Sequence, residues 1–503
     1  MKIAMVSSEC EPFAKTGGLA DVVDALARAL GELGHDVDVY LPRYRGLEPP
    51  RPAERKELTL RIPSSTGDTG RITVGLLTAR ADGYRLRLVE HPASFDRAGY
   101  YGESGSDYPD NGARFALLGR AALETIRSEG GGVSVLHGHD WQAGPAVLLR
   151  DLEYGSDPSL AGMATMVTCH NLAYHGWVPR ERSAPLGLPP EVGKAEGIDL
   201  LREEVARADI VNTVSPTYAE ESRTPEFGAG LDDVLRARGD TYLGILNGID
   251  PRLWDPGTDE ALVERFSARD LTGKRACKQD LGTRLGIDLG GSRARASAAD
   301  RDGWDDRGAP LFGLVGRLDP QKGFDLLAGA ARAMLEDGVR MVILGTGDDR
   351  LVQGLRGLAG EWPGRLAILE RFDRDEARRV YGGSDLLLMP SRFEPCGQSQ
   401  MIAMRYGTVP LVRSTGGLAD TVIDADDHPD DGDGFVFGPA EASALVIAAR
   451  RAIDAYRDEA RWADLIGRAM RRDFSWTASA PRYVEAYARA VALRAWGDRP
   501  GQA

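Results

Sequence analysis

A lysine, two adjacent glycines and an aspartate occur close together near the start of the chain, as Lys15, Gly17, Gly18 and Asp21. They stand where an apolar strand ends and a helical pattern begins, so that backbone N–H groups, the helix dipole and the Lys15 ammonium converge on one spot. This arrangement favours an anion-binding site. A tight turn made by the two glycines is the alternative, and the presence of Lys15 and Asp21 in the same motif argues for the anion.

A second group of cations, Arg317 and Lys322, lies between another strand and another helix. Arginine offers a planar fork and lysine a point charge, and together they can neutralise the charge that a nucleoside diphosphate gains as it leaves. The sequence therefore predicts a diphosphate site here. The alternative is a solvated pair of cations at the start of a helix.

An acidic loop follows a third strand, with Glu394, Cys396 and Gly397 between an apolar run at 386–389 and a helix. Ligands of open α/β sheets bind at the carboxyl ends of the strands, so we expect Glu394 to meet a ligand. The alternative is that its carboxylate caps the helix. We find no carboxylate pair at glycosidase spacing and no metal motif, so cations must carry the leaving charge and no metal or other cofactor is expected.

The elements that must position these residues form two series of strands and helices. Continuous apolar runs are typical of buried parallel strands. The sequence thus predicts an α/β protein with two doubly wound parallel sheets, separated by an apolar-poor segment at 290–308 that we expect to be a mobile insertion. The predicted strands are 3–6, 37–41, 133–136, 164–168, 210–214 and 242–246, then 311–315, 341–344, 366–369, 386–389 and 409–412.

Composition limits the partners that the protein can have. The 503 residues carry 62 Lys and Arg against 76 Asp and Glu, a formal net charge of -14, which argues against a nucleic-acid or anionic-membrane surface. A strand-like start and the lack of any run long enough to span a membrane predict a cytoplasmic protein. Four widely spaced cysteines favour thiols over disulfides or zinc. The acidic run 424–433 contains Asp431 and Asp433 at the spacing of a metal-binding DxD motif, but we interpret it as a solvated turn.

The motifs, taken together, resemble those of bacterial glycogen synthases and plant starch synthases. The resemblance spans about residues 1–487 and implies the GT-B fold, with two Rossmann-like domains facing across a cleft. It implies an acceptor-side domain at 1–253, a nucleotide-sugar domain at 254–479 and, within 480–503, a helix that crosses back to the first domain. The motifs that carry it are KTGGLADVV, HGHDW, TCHNLAYHG, TVSPTYAEE, GILNGID, RLDPQKGFD, PSRFEPCG and MRYGTVPLVRSTGGLADTV.

The resemblance also implies an activity, which is the transfer of glucose from ADP-glucose to the non-reducing end of an α-1,4-glucan with retention of configuration. It assigns the donor diphosphate to Arg317, Lys322 and Lys15, and the hydroxyls of the transferred glucose to Glu394. The other donor-binding residues that it implies are Gly18, Phe372, Cys396, Gly397, Thr415, Gly416 and Gly417.

The same resemblance places a second set of residues beside the reacting sugar and the acceptor. Asp140 and His170 join Glu394 and the three cations as catalytic residues, while Trp141 offers either a stacking face for a sugar or a ring of the core. The members of this sugar and acceptor set are Asp21, Asp140, Trp141, His170, Asn171 and Asn247.

Several positions depart from the family pattern and leave the preferred base open. The usual Leu-Thr after EPCG is Gln398-Ser399, the usual Lys-Gly-Gly is Arg202-Glu203-Glu204, the usual Gly-Tyr is Arg371-Phe372, and Gln142 replaces a usual His. Two alternative functions stay open. One is a related GT-B transferase that makes a maltosyl phosphate or a disaccharide, and the other is an inactive glucan-binding scaffold. A glucan phosphorylase is disfavoured, because no motif for a pyridoxal phosphate lysine is present.

Overall fold

The computed structural model describes residues 1–63, 69–290 and 307–497, and the chain divides into two compact units. The first comprises Met1–Gly248 with Trp476–Ala503, and the second comprises Ile249–Ser475. The sequence placed these boundaries at 253/254 and 479/480. Residues 291–306, which make up most of the expected insertion, lie outside the described residues.

The first unit is built on a mostly parallel sheet. Its strands are β1 (Lys2–Val6), β2 (Asp36–Pro42), β3 (Ala53–Pro63), β4 (Thr69–Arg80), β5 (Arg85–Glu90), β6 (Gly102–Glu103), β7 (Ser106–Asp107), β8 (Val135–His139), β9 (Ala164–Cys169), β10 (Trp177–Pro179), β11 (Gly197–Asp199), β12 (Ile210–Thr213) and β13 (Tyr242–Gly244). In the described residues the main sheet has nine strands, in the order β13-β12-β9-β8-β1-β2-β5-β4-β3. The strands from β13 to β5 are parallel, and β4 and β3 are antiparallel. Two hairpins, β6–β7 and β10–β11, lie outside it.

Helices of this unit pack their apolar faces on the sheet. In α1, Val22, Val23, Leu26 and Leu30 recur at helical spacing and are all buried. The helices are α1 (Gly18–Glu32), α2 (Pro92–Phe95), α3 (Asn111–Ser128), α4 (Gly144–Leu152), α5 (Leu200–Arg207), α6 (Pro216–Glu221) and α7 (Asp232–Ala237), with 3-10 turns at Arg180–Arg182, Ala184–Leu186 and Gly239–Thr241.

The second unit holds a fully parallel sheet. Its strands are β14 (Leu311–Val315), β15 (Arg340–Leu344), β16 (Leu366–Leu369), β17 (Leu386–Met389), β18 (Val409–Arg413) and β19 (Phe435–Phe437). Over the described ranges the order is β16-β15-β14-β17-β18-β19, so that β14 and β17 are neighbours although β15 and β16 lie between them in the chain. The helices are α8 (Thr272–Leu285), α9 (Phe324–Glu336), α10 (Asp349–Glu361), α11 (Arg374–Gly383), α12 (Ser399–Arg405), α13 (Gly416–Thr421), α14 (Ala442–Arg457) and α15 (Glu459–Arg471). The prediction of two doubly wound α/β sheets is confirmed.

The last helix, α16 (Trp476–Trp496), belongs to the core of the first unit. The Tyr487 hydroxyl lies 2.8 Å from Nδ1 of the buried His137, and Arg494 forms an ion pair of 2.7 Å with the buried Asp209. The helix therefore satisfies polar groups that the rest of the unit leaves in its interior.

The interpretation of 424–433 as a solvated turn is wrong for two of its carboxylates. Asp433 is fully buried, accepts the Ile423 N–H at 2.9 Å and pairs with Arg472 at 2.8 Å. Asp424 is also buried, and the guanidinium of Arg451 beside it lowers the pKa of its carboxyl against the opposing effect of burial. Through these ion pairs, the two acids hold the turn against α14 and against the residue that follows α15.

No helix in the described part of the chain has the length and apolar character that a bilayer crossing requires.

Candidate active site

The second unit collects its predicted residues at the carboxyl ends of β14 and β17. The strand order reverses between these two strands, and that switch point is where open α/β sheets bind ligands. The loop after β14, residues 316–323, touches the loop after β17, residues 390–398. The Arg392 N–H donates to the Gln321 carbonyl at 2.8 Å, and a Cβ on Gly323 would lie 1.9 Å from the Pro390 carbonyl oxygen. Only glycine fits at 323, which also has a φ of +73°.

Lys322 and Glu394 form an ion pair between these two loops. The Lys322 Nζ lies 2.6 Å from Glu394 Oε2, and the Ser391 hydroxyl donates to the same oxygen at 3.0 Å. Glu394 is only 5% exposed, and a buried carboxylate is costly unless it is paired in this way. The structure thus brings together a cation and an acid that the sequence assigned to the diphosphate and to the sugar.

Arg317 lies on the same loop with its side chain 58% exposed. Its guanidinium lies 3.1 Å from Asp319 and 3.1 Å from the side-chain oxygen of Gln321. An exposed guanidinium at the carboxyl end of β14 can turn toward an anion at low cost, since surface ion pairs contribute little.

The alternative that Glu394 caps a helix is wrong. Helix α12 begins at Ser399, its N-cap residue is Gln398, and no side chain caps it. The carboxylate of Glu394 instead contacts Lys322 and Ser391.

Buried backbone contacts fix the conformation of the 390–398 loop. Gln400, which the sequence analysis did not single out, donates from Nε2 to the carbonyls of Cys396 and Gly397 at 3.1 Å each. The Gly417 N–H donates to the Glu394 carbonyl at 3.0 Å, and a Cβ on Gly417 would lie 2.0 Å from the Cys396 carbonyl oxygen. These contacts bring Cys396, Gly397 and Gly417 against the loop that carries Glu394.

The other predicted donor residues occupy different environments. Thr415 is buried at the start of α13 beside Gly416, which has a φ of +43°. Phe372 follows the edge strand β16 and is 85% exposed, so most of its ring surface is accessible to a planar ligand.

In the first unit, Lys15 and Gly17 lie in the loop between β1 and α1, and Gly18 begins α1. Lys15 forms ion pairs with Asp21 and, at 3.5 Å, with Glu11. The buried Glu9 accepts the backbone N–H groups of Thr16 and Gly17, so it takes up donors that the sequence analysis offered to a ligand. A Cβ on Gly18 would meet no atom within 4 Å, which leaves open space in front of the first residue of α1.

Asp140 and His170 contact each other at the ends of β8 and β9. Asp140 has a left-handed φ of 55° and accepts the His170 N–H at 2.6 Å. Burial raises the pKa of the Asp140 carboxyl to about 7, although hydrogen bonds from the backbone of His170 and Asn171 oppose the rise. Burial lowers the pKa of His170 to about 3, so this imidazole is neutral at physiological pH.

A second histidine, which the sequence analysis did not name, supports His170. Nδ1 of the fully buried His139 lies 3.1 Å from His170 Nε2, and the two rings stack with centroids 5.4 Å apart. Its signal in the sequence was its place two residues after His137 in the HGHDW motif.

The remaining acceptor-side residues are largely enclosed. Trp141 is 8% exposed and packs edge to face on Phe115, which is the core role that the sequence left open. Asn171 accepts the Ala173 N–H at 3.0 Å. Asn247 is buried, and its Oδ1 has no hydrogen-bond partner in the described part of the chain.

Comparisons with known proteins show which family the chain belongs to. Residues 2–237 match the family described as starch synthase catalytic domain, and residues 300–465 match glycosyl transferases group 1. A glycogen synthase of Syntrophotalea carbinolica is 42% identical over 98% of this chain and 99% of its own length. The chain belongs to the glycogen and starch synthase family.

Other members and neighbours of this glycogen and starch synthase family extend the comparison. A glycogen synthase of Anaeromyxobacter dehalogenans is 44% identical over 97% of this chain and 99% of its own. The catalytic domain of starch synthase IV from Arabidopsis thaliana, solved bound to ADP and acarbose, has a TM-score of 0.83 and 33% identity over 97% of this chain and 99% of that one. A sucrose-phosphate synthase from Thermosynechococcus elongatus, at 18% identity and a TM-score of 0.58, shares the fold. The chain is therefore a glycosyltransferase with the GT-B fold and a glycogen or starch synthase function.

The positions that depart from this family pattern have distinct surroundings. Ser399 lies 3.0 Å from the Tyr381 hydroxyl, and Arg202 pairs with Asp233. Glu204 is fully buried, neither of its carboxyl oxygens has a hydrogen-bond partner among the described residues, and burial raises its pKa well above the ordinary value.

Proposed function

We propose that this synthase transfers glucose from ADP-glucose to the non-reducing end of an α-1,4-glucan, with retention of configuration. The donor is assigned to the second unit and the acceptor to the first. We also propose that it acts in the cytoplasm, since its four cysteines are all buried thiols, as is usual in a reducing compartment.

The observation that carries the proposal is the ion pair between Lys322 and the buried Glu394 at the switch point of the second sheet. Lys322 and Arg317 would stabilise the diphosphate as it leaves, and a buried carboxylate would favour the positive charge that develops on the sugar. Fixed charges of this kind stabilise a transition state because they need no reorganisation during the reaction.

The acceptor-side residues support the same chemistry. His170 is neutral, so it can hydrogen-bond a sugar hydroxyl without repelling an oxocarbenium-like centre. In the proposed reaction the C1–O bond to the diphosphate breaks, the acceptor 4-hydroxyl attacks from the same face, and the departing phosphate takes its proton.

The choice of ADP-glucose rests on two observations. The Arabidopsis starch synthase IV structure contains ADP, the diphosphate that this reaction would release. In this chain Phe372 presents an exposed ring on which a purine can stack, although it lacks the tyrosine hydroxyl that is usual in the family.

The test is to incubate the protein with glycogen and ADP-, UDP- or GDP-glucose in turn, with and without EDTA, and to measure the diphosphate released. We expect the fastest release from ADP-glucose, unchanged by EDTA, because protein cations rather than a divalent metal meet the diphosphate. Equal or faster release from UDP-glucose would contradict the donor assignment. Loss of turnover in EDTA, restored by magnesium, would contradict the role of the cations.

A further inference from the structure

Two exposed aromatic side chains lie shortly after β9, one in the loop and the other at the start of β10, and neither has a role in the site described above. Trp177 is 51% exposed and Tyr174 is 60% exposed. A single exposed aromatic residue is common on protein surfaces, but two this close in sequence to each other and to His170 form a feature that needs a reason.

The fold holds Trp177 rigidly in this exposed position. It begins β10 and pairs with Asp199 of β11, while the next residue, Val178, points into the core. A Cβ on Gly197 would lie 2.7 Å from Trp177 Cζ2, so one side of the indole lies directly on a glycine backbone. The imidazole of His175 closes the base of the hairpin through Asp199 at 2.6 Å. One part of the ring is thus buried against the hairpin while about half of the residue stays open.

The hairpin contacts the segment of the first unit that carries Asp140 and Trp141. Gly176, the residue before Trp177, lies against the Trp141 ring, where a Cβ on Gly176 would come within 2.3 Å. Trp141 directly follows Asp140, and Asp140 accepts the His170 N–H. Gly176, which directly precedes the exposed Trp177, therefore contacts the segment that carries the acceptor-side residues.

We propose that Trp177, together with Tyr174 three residues before it, is a stacking platform for the acceptor glucan. It would bind glucose units that lie further toward the reducing end than the unit that is extended. The apolar C–H face of a pyranose packs on an aromatic ring, and a preorganised ring loses little entropy when it does so. The inference rests on the proposed function, which makes an α-glucan the ligand that reaches this part of the first unit. It makes Trp177 a determinant of acceptor length, since a short acceptor would not extend as far as the platform.

The test compares W177A with W496A, which removes another exposed tryptophan of the same unit, on α16. Calorimetric titration with maltoheptaose should show binding that is roughly 3- to 10-fold weaker in W177A, the size of a lost aromatic packing contact, and unchanged in W496A. In steady-state assays the KM for glycogen should rise by a similar factor, while kcat and the KM for maltose stay at parent values.

Binding of maltoheptaose by W177A within about twofold of the parent would overturn the inference. If W177A melts at a lower temperature than the parent, maltoheptaose binding by W177F and W177Q is compared instead. Both side chains cover Gly197, and only the phenyl ring should retain binding. A parent protein that binds maltoheptaose through Trp177 but transfers no glucose would contradict the proposed function and would still support glucan binding by Trp177.

Discussion

In each of the two units, a single buried carboxylate organises a loop that carries candidate site residues. Glu394 is buried between Lys322 and Ser391 in the second unit, and Glu9 is buried against the backbone of the Lys15 loop in the first. Both acids fix a loop that follows a strand, but only Glu394 pairs with a cation that the sequence assigned to the donor. This difference leads us to expect a catalytic role for Glu394 and a structural role for Glu9.

Replacement of Glu394 by glutamine should lower kcat for glucose transfer at least ~100-fold, because the amide keeps the shape of the side chain but loses the charge that favours the transition state. The loss of the ion pair with Lys322 should also lower the free energy of unfolding by about 1–3 kcal/mol. S391A, which removes a hydrogen bond to the same oxygen and keeps the charge, is the matched control and should retain most of kcat. A folded E394Q with parent-like kcat would remove Glu394 from catalysis.

The raised pKa of Asp140 predicts a pH dependence of stability. The folded protein holds this proton up to about pH 7, whereas an unfolded-state aspartate loses it near about pH 4, so the folded state binds more protons in that window. The free energy of unfolding contributed by this group therefore falls as pH rises from about 4 to 7 and is constant above.

D140N should abolish that fall, because asparagine accepts the left-handed φ of this position and does not titrate. Urea denaturation at a series of pH values measures it for the parent and the variant. Identical pH profiles for the two proteins would show that Asp140 titrates as an ordinary surface acid.

At the scale of elements, glycines let the loops at the strand ends approach one another. Gly323 lies against the Pro390 carbonyl and Gly417 against the Cys396 carbonyl, and any side chain at either position would push the Glu394 loop away. The geometry of the donor half is therefore built from backbone contacts as well as from charged side chains.

G417A should reduce kcat by at least about tenfold and lower the melting temperature, since the new Cβ would lie 2.0 Å from the Cys396 carbonyl oxygen and would force the backbone to shift. G438A is the control, because a Cβ there would meet no atom within 4 Å and the glycine has no positive φ. If G417A and G438A show equal kcat and equal melts, the packing of Gly417 does not determine the site.

The sequence predicted the central strands well and the edge of the first sheet poorly. The strands Leu311–Val315 and Leu386–Met389 coincide with the predicted runs, because strands buried on both faces are continuously apolar. The antiparallel strands β3 and β4 gave no such signal. Ala53–Pro63 is rich in charged residues and mostly exposed along its length.

The sequence predicted which motifs form the candidate site, but it did not predict the hydrogen-bond and ion-pair partners of the residues in them. Glycines and charged residues at strand ends indicate that Lys322 and Glu394 belong to a site. No local sequence pattern indicates that these two residues, 72 positions apart, form an ion pair. The roles of Glu9, His139 and Gln400 were missed for the same reason, because each depends on hydrogen bonds that only the folded chain creates.

At the scale of the whole molecule, the end of the chain completes the core of the first unit. Helix α16 supplies Tyr483 and Tyr487 to the interior, where they meet Asn212 and His137. The first unit is therefore built from two segments of the chain, with the second unit inserted between them in sequence.

Y487F should lower the free energy of unfolding by about 1–3 kcal/mol, because it leaves the buried Nδ1 of His137 without its partner. R482A, on the same helix, removes only an exposed ion pair with Glu485 and should change stability by less than about 1 kcal/mol. Denaturant unfolding measures both variants. A Y487F protein as stable as R482A would show that the contact between Tyr487 and His137 contributes little to stability.

The central claim is that this glycogen and starch synthase family member extends an α-1,4-glucan from ADP-glucose. The most direct test supplies ADP-glucose labelled in the sugar with unlabelled glycogen, measures label incorporated and ADP released, and then treats the product with β-amylase, which removes α-1,4-linked units from non-reducing ends. The account predicts one ADP released for each glucose incorporated, and label that β-amylase removes. ADP release without incorporation, or incorporated label that β-amylase leaves in place, would contradict it.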